Sequence, residues 1–214
     1  MSHRERREIR NLLKIGSHVQ SILDEIYDLP GSSIIICGKN GSGKSLIAIN
    51  LLKELCELEY SCAFFHIKEE NPFFPKPAPL LWMEGLVQCS PADFNMLKDQ
   101  LNLVVKMGKK VVIFDCLSNI NKFLPTGSMS YKIYKEILDY VVSFCKENNL
   151  FAIIIEENKS GVGDPTHDWG VTYSAIIENL EGETILFRFT KNRFQSLLPE
   201  FSLNRKSLYD SVRY

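Results

Sequence analysis

The 214-residue chain has no run of about 20 consecutive apolar residues, the length that a membrane-spanning helix needs. The beginning of the chain, residues 1–10, is charged and lacks the apolar centre of a secretory signal peptide. These two absences argue against a membrane protein and against a secreted one. We therefore expect a cytoplasmic protein with no membrane contact.

The sequence also lacks the usual signals of a metal site and of a surface that binds nucleic acid. The six cysteines form no C-x-x-C motif, and the four histidines are scattered without the spacing of metal ligands. Several cysteines lie inside apolar runs, which favours buried, reduced thiols over a zinc site. The net charge of −1 gives no overall attraction toward nucleic acid or an anionic membrane.

What the chain does contain is an alternation of strand and helix patterns. The apolar runs at 111–114 and 151–155 are typical of strands buried on both faces of a parallel sheet. Two strand patterns at 171–180 and 183–189 flank Glu181-Gly182 and predict a hairpin. Apart from this hairpin, strands are predicted at 33–37, 61–67, 80–83, 110–115 and 150–155, the last two containing these apolar runs, and helices at 18–26, 44–57, 91–107 and 130–147. The pattern predicts an α/β fold: a mostly parallel twisted sheet flanked by helices, with a C-terminal antiparallel hairpin.

Local signals mark the ends of several of these segments. Ser90 is the predicted N-cap of the helix at 91–107, Pro91 suits its first turn, and Gly108 can end it. The proline-rich stretch 71–80 predicts a surface loop. Residues 1–14 are interpreted as an N-terminal helical arm, and residues 15–214 as one domain.

A glycine-rich motif lies between the first predicted strand and the helix at 44–57. It fits the pattern G-x-x-x-x-G-K-[ST] at every fixed position, with the residues Gly38, Lys39, Asn40, Gly41, Ser42, Gly43, Lys44 and Ser45. Strand, glycine loop and helix form the context in which this motif cradles phosphates through backbone N–H groups. Lys44 is expected to reach the β- and γ-phosphates of a nucleotide, and the Ser45 hydroxyl to bind Mg²⁺.

Carboxylates at the ends of two other predicted strands are candidate partners of this loop. Asp115 closes an apolar run and can support Mg²⁺ through water beside Ser45, although a solvated aspartate at a strand end has the same pattern. Glu69 and Glu70 follow the strand at 61–67, where one of them can activate a water molecule for hydrolysis. A charged start of a loop beside Lys68 explains this glutamate pair equally well.

Taken together, the motifs resemble those of the RecA-type ATPases, and within them the KaiC-like group. The resemblance extends over roughly residues 15 to 195 and includes the order and spacing of the motifs. Four stretches carry it: 34–45 with the phosphate loop, 64–72 with the Glu-Glu pair, 111–118 with Asp115 followed by Leu-Ser, and 189–194 with a late Lys-x-Arg.

The resemblance implies an ATP-hydrolysing enzyme with ATP and Mg²⁺ as its ligands. It implies that Lys44 and Ser45 bind phosphate and metal, that Asp115 supports the metal, and that Glu69 or Glu70 is the base. It further implies that Lys191 and Arg193 touch the γ-phosphate bound to a neighbouring copy, in a ring or filament such as a hexamer. From the residues alone, Lys191-Asn192-Arg193 is a basic turn after a strand.

Two other functions stay open at this point. One is a nucleotide-binding module with slow or absent hydrolysis, such as a recombination-mediator paralogue. The other is a small phosphotransferase, which is disfavoured because no arginine lies between Arg10 and Arg188 to form an arginine-rich lid. DNA is retained only as an alternative partner, because segment 158–169 holds one lysine against two aspartates and offers little attraction for a phosphate backbone. The sequence does not identify a protein partner.

Overall fold

The structure is a computed structural model. It describes residues 19, 22–23, 30–67, 87–89, 91, 93–117, 130–157, 170–180, 182–192 and 199–212. The predicted helical arm at 1–14, the proline-rich loop at 71–80, the predicted strand at 80–83 and the segment 158–169 lie outside these residues. Of the helix predicted at 18–26, the described part is Val19 with the helical pair at 22–23.

The described elements alternate between strand and helix along most of the chain. The strands are β1 (Ser33–Gly38), β2 (Cys62–His66), β3 (Val87–Cys89), β4 (Val111–Asp115), β5 (Phe151–Glu157), β6 (Tyr173–Asn179), β7 (Thr184–Asn192) and β8 (Glu200–Asn204). The helices are α1 (Lys44–Glu57), α2 (Phe94–Lys106), α3 (Ser130–Glu147) and α4 (Arg205–Val212). The predicted bounds of α1 and α3 are confirmed.

All eight strands belong to one sheet with the order β3-β2-β4-β5-β1-β6-β7-β8. The strands from β3 to β6 pair in parallel, whereas β6 with β7 and β7 with β8 pair antiparallel. The predicted α/β class, the mostly parallel sheet and the antiparallel hairpin are therefore confirmed. Because parallel strands run in one direction, the carboxyl ends of β1, β2, β4 and β5 meet at one edge of the sheet, where ligands bind in folds of this type.

Helices cover both faces of the sheet, which explains why its central strands are apolar throughout. Ile34 and Ile36 point into a core shared with α1 and α4, and Ile35 and Cys37 point into a second core shared with α2 and α3. Successive side chains of a strand alternate between faces, so a strand covered on both sides contains a continuous apolar run, which in β4 and β5 ends before Asp115 and Glu156.

The start of α2 differs from the prediction. The helix begins at Phe94 and its N-cap is Asp93, so the predicted cap at Ser90 is wrong. The backbone of Asp93 is extended (φ −149°, ψ 179°), and its carboxylate accepts a hydrogen bond from the Met96 N–H at 2.8 Å. That carboxylate satisfies one of the N–H groups that every helix leaves unpaired in its first turn.

Three described elements have no counterpart among the predictions: β3, β8 and α4. β3 is a strand of three residues at the sheet edge, and α4 buries only Leu208 among its side chains. The six cysteines are free thiols, and all except Cys56 are buried. In the parts of the chain that the structure describes, no helix combines the length and apolar composition needed to cross a membrane.

Candidate functional site

The glycine motif forms the turn between β1 and α1 at the carboxyl edge of the sheet. β1 ends at Gly38 and α1 begins at Lys44. Gly41 and Gly43 have φ values of +76° and +98°, a left-handed conformation that residues with a side chain rarely adopt. Gly43 is also the N-cap of α1 and provides no side-chain cap. The first turn of α1 therefore presents its N–H groups toward the loop, as in sites that bind anions.

Lys44 is folded against the loop that precedes it. Its ammonium group donates hydrogen bonds to the carbonyl oxygens of Gly38 at 2.8 Å and Lys39 at 2.6 Å. The side chain is buried, with 8% exposure. The positive charge thus lies beside the amides of the loop rather than in bulk solvent, where screening would weaken its attraction for an anion.

A direct contact joins the loop to β4. The Ser45 hydroxyl donates a hydrogen bond to Asp115 Oδ1 at 3.1 Å, and Asp115 is completely buried. A hydroxyl and a carboxylate oxygen at this separation are ligands that Mg²⁺ accepts, and Mg²⁺ commonly uses one or two carboxylates together with substrate phosphates and water. In the described ranges, no group of three or more His, Cys, Asp or Glu side chains could hold a metal by itself. Ser45 and Asp115 are a donor set that fits Mg²⁺ if phosphate and water supply its other ligands.

His66 is a neighbour of Asp115 that the sequence analysis did not single out. The two residues are directly opposite each other in the β2–β4 ladder, and the Ile67 N–H donates to the Asp115 carbonyl at 2.9 Å. Their side chains share the face of the sheet that α1 covers, since residues opposite each other in a ladder point to the same side. In the sequence, His66 is marked by its position: it is the last residue of the strand that precedes Glu69 and Glu70.

A buried polar pair lies on the other face of the sheet. Glu156, with 1% exposure, is opposite Cys37 in the β1–β5 ladder. Burial raises the pKa of the Tyr134 hydroxyl well above its usual value, and the charge of Glu156 raises this pKa further. Tyr134 belongs to the core that α2 and α3 share with the sheet, on the face opposite α1.

The structure brings some predicted site residues together and not others. The loop 38–45 and Asp115 form one site. Glu69, Glu70 and Arg193 lie outside the described residues. Lys191 lies on β7 opposite Ser174, and Ser174 is level with Ile35, near the beginning of β1. Lys191 is therefore displaced toward the sheet edge that faces away from the loop.

Gly38 is required for close packing at the start of the loop. A Cβ atom at this position would lie 2.6 Å from Ser42 Oγ and 2.7 Å from the carbonyl oxygen of Ile177. The second contact is with backbone, so β1 and β6 would have to separate. We expect Gly38→Ala to lower the free energy of unfolding by about 1–3 kcal/mol, measured by urea denaturation.

A second variant separates the two contacts of Gly38. In Gly38→Ala/Ser42→Ala the clash with the hydroxyl is removed and the clash with the Ile177 carbonyl remains. The double variant should therefore recover only part of the lost stability. Unfolding of Gly38→Ala at the wild-type urea concentration would contradict the close packing of this loop.

Comparison with known proteins gives no relative: no protein-family model matches the chain, and no curated protein matches it. The function of the site is accordingly inferred from its geometry.

Proposed function

We propose that this chain is a Mg²⁺-dependent ATPase of the RecA/KaiC type and that residues 38–45 bind the triphosphate. The observation that carries the proposal is the hydrogen bond between Ser45 and the buried Asp115. It joins the end of the glycine motif to the end of β4, a parallel strand separated from β1 by β5, and this is the pairing that a nucleotide-bound Mg²⁺ requires.

Each residue of the site has a role in this reaction. The loop amides and the Lys44 ammonium bind the β- and γ-phosphates and offset the charge that develops on them. Ser45 and Asp115 would hold Mg²⁺, which would supply positive charge beside these phosphates. Glu69 or Glu70 accepts a proton from a water molecule whose oxygen forms the new bond to the γ-phosphorus. The bond from that phosphorus to the β–γ bridging oxygen breaks, which releases ADP and inorganic phosphate.

Assembly with further copies of the chain is part of the proposal. Across the sheet, Lys191 is two inter-strand spacings from β1, because β6 lies between β1 and β7. Along the strands, Lys191 is level with Ile35, whereas β1 ends at Gly38. This amounts to roughly 10 Å in each direction, more than a lysine side chain spans. If Lys191 acts on a phosphate, that phosphate is therefore bound to a neighbouring copy, which is the role that the resemblance implies for both Lys191 and Arg193. Light scattering should then detect larger particles when ATP and Mg²⁺ are added.

The Mg²⁺ requirement tests the proposed site directly. Asp115→Asn keeps the shape of the side chain and an oxygen that can accept from Ser45, but it removes the negative charge. We expect the Mg²⁺ concentration for half-maximal ATP hydrolysis to rise about tenfold or more, as for other residues that support a bound metal. The measurement is the initial rate of phosphate release across a Mg²⁺ titration at fixed ATP.

Asp139→Asn is the matched control, because Asp139 is exposed on α3 and loses the same charge. Its Mg²⁺ curve should coincide with that of the wild type. An Asp115→Asn curve that also coincides with the wild type would remove Asp115 from the metal site. ATP binding without turnover in the wild type, at concentrations that allow assembly, would favour the non-hydrolysing nucleotide-binding module instead.

A further inference from the structure

Two polar side chains from the last part of the chain contact the outer side of the glycine loop. Arg205 Nη2 donates to the Gly41 carbonyl oxygen at 3.3 Å, and Asn179 Nδ2 donates to the same oxygen at 3.2 Å. Arg205 Nη2 also donates to Asn179 Oδ1, so the two side chains and the loop carbonyl form one network. A Cβ atom on Gly43 would lie 3.9 Å from Arg205 Nη2, which places the guanidinium beside the entrance to α1.

The packing of α4 against α1 fixes Arg205 in this position. Arg205 is the first residue of α4, and its N–H donates to the Glu183 carbonyl at 2.7 Å. Further along the two helices, Asn50 Nδ2 donates to the Leu208 carbonyl at 3.2 Å and Lys53 Nζ to the Ser211 carbonyl at 2.6 Å. A side chain at the start of a helix held by such contacts is oriented before any ligand arrives.

The order of strands defines the direction of a nucleotide in the loop. Asp115 is on β4 and Asn179 is on β6, and these strands lie on opposite sides of β1. If Ser45 and Asp115 hold the Mg²⁺ of a bound nucleotide, its γ-phosphate would lie on the β4 side of the loop. The α-phosphate and the nucleoside then extend the other way, toward Asn179 and Arg205.

We infer that Arg205, positioned by Asn179, contacts the nucleoside of the bound nucleotide. Both side-chain hydrogen bonds of Arg205 to described residues start from Nη2, and the structure gives no hydrogen bond from Nη1 or Nε to those residues. A guanidinium held in this way can donate to a sugar oxygen and place its planar face on a base. The contact rests on the proposed function, because it presumes a nucleotide in the loop.

Binding of inorganic tripolyphosphate distinguishes a contact between Arg205 and the nucleoside from an effect of Arg205 on the shape of the loop. Tripolyphosphate carries the phosphates of ATP without the nucleoside, so only an effect on the loop would change its affinity. In titrations with Mg²⁺ present, Arg205→Ala should lower the affinity for ATP about tenfold, the loss of a charge-assisted contact, and should leave the affinity for tripolyphosphate within about twofold. Arg205→Lys keeps the positive charge, and Asn179→Ala keeps the arginine. Each should lower the affinity for ATP by a smaller factor than Arg205→Ala does, and should leave the affinity for tripolyphosphate unchanged. These two variants also cover the case in which Arg205→Ala does not fold.

Arg188→Ala is the control, because Arg188 is an exposed arginine on β7 that pairs with Glu178 at 3.5 Å. It should bind both ligands like the wild type. Equal losses for ATP and tripolyphosphate in Arg205→Ala, or no loss for either, would overturn the nucleoside contact while leaving the phosphate site intact. Equal affinity of the wild type for ATP and tripolyphosphate would overturn it too. A wild type that binds neither ligand would remove the proposed function and this contact together.

Discussion

Lys44→Ala should weaken the binding of ATP–Mg²⁺ by on the order of a hundredfold. The ammonium is buried against the loop, where the low local dielectric strengthens its attraction for phosphate. A hydrogen bond to a charged group contributes about 1.5–3 kcal/mol, and each 1.4 kcal/mol is a tenfold change in affinity. Titration calorimetry of wild type and variant measures the difference.

Lys106→Ala provides a control for that measurement. Lys106 is an exposed lysine in the last turn of α2, which packs on the face of the sheet opposite α1. The control should bind ATP like the wild type. If Lys44→Ala also binds like the wild type and both variants have wild-type thermal stability, the ammonium does not contact the triphosphate.

Replacing Glu69 and Glu70 together by alanine should reduce ATP hydrolysis by roughly a hundredfold or more, the usual contribution of a positioned general base. Binding of ATP should remain within a few-fold of the wild type, because the amides of the loop, Lys44 and Ser45 are unchanged. Phosphate release under saturating ATP measures the first effect, and calorimetry measures the second. The single variants Glu69→Gln and Glu70→Gln then identify which carboxylate acts on the water.

The double variant Glu136→Ala/Glu147→Ala controls for the loss of two negative charges. Both residues are exposed on α3, and their replacement should leave the rate unchanged. A Glu69→Ala/Glu70→Ala protein that hydrolyses ATP at the wild-type rate would show that neither glutamate is the base. In that case His66, which lies beside Asp115 in the β2–β4 ladder, becomes the next residue to test.

The parts of this fold that the sequence predicts are those governed by local pattern. The apolar residues of α1 and α3 recur at helical spacing over the length of a helix. The predicted bounds of both helices agree with the structure. The glycine motif predicts its own turn because its residue types meet the steric requirements at Gly41 and Gly43. The position of Asp115 followed from the apolar run before it, since a parallel strand must end at the ligand-binding edge.

The parts that were not predicted depend on contacts between distant segments. α4 has eight residues and buries one side chain fully, so its apolar pattern is too short to stand out in the sequence. Contacts with Asn50 and Lys53 and the packing of Leu208, Tyr209 and Val212 hold it in place. The place of Arg205 at the loop depends on that docking and cannot be derived from spacing. β3 has three residues, too few to show an alternating pattern.

The start of α2 shows a different limit. Ser90, Pro91 and Asp93 all carry helix-start signals within one turn, and each is compatible with a slightly different boundary. The backbone conformation decides between them. Asp93 is extended, the helix begins at Phe94, and the Asp93 carboxylate accepts a hydrogen bond from the Met96 N–H. An offset of this size is typical of boundaries inferred from sequence.

The central claim is that the loop from Gly38 to Ser45 binds the triphosphate of a nucleotide with Mg²⁺. Calorimetric titration of the full chain with ATP and Mg²⁺ tests it most directly. Saturable heat with one site per chain, strongly weakened in Lys44→Ala and kept in Lys106→Ala, is the predicted result. No heat with ATP, with GTP or with tripolyphosphate, from protein that is folded by circular dichroism, would contradict the claim.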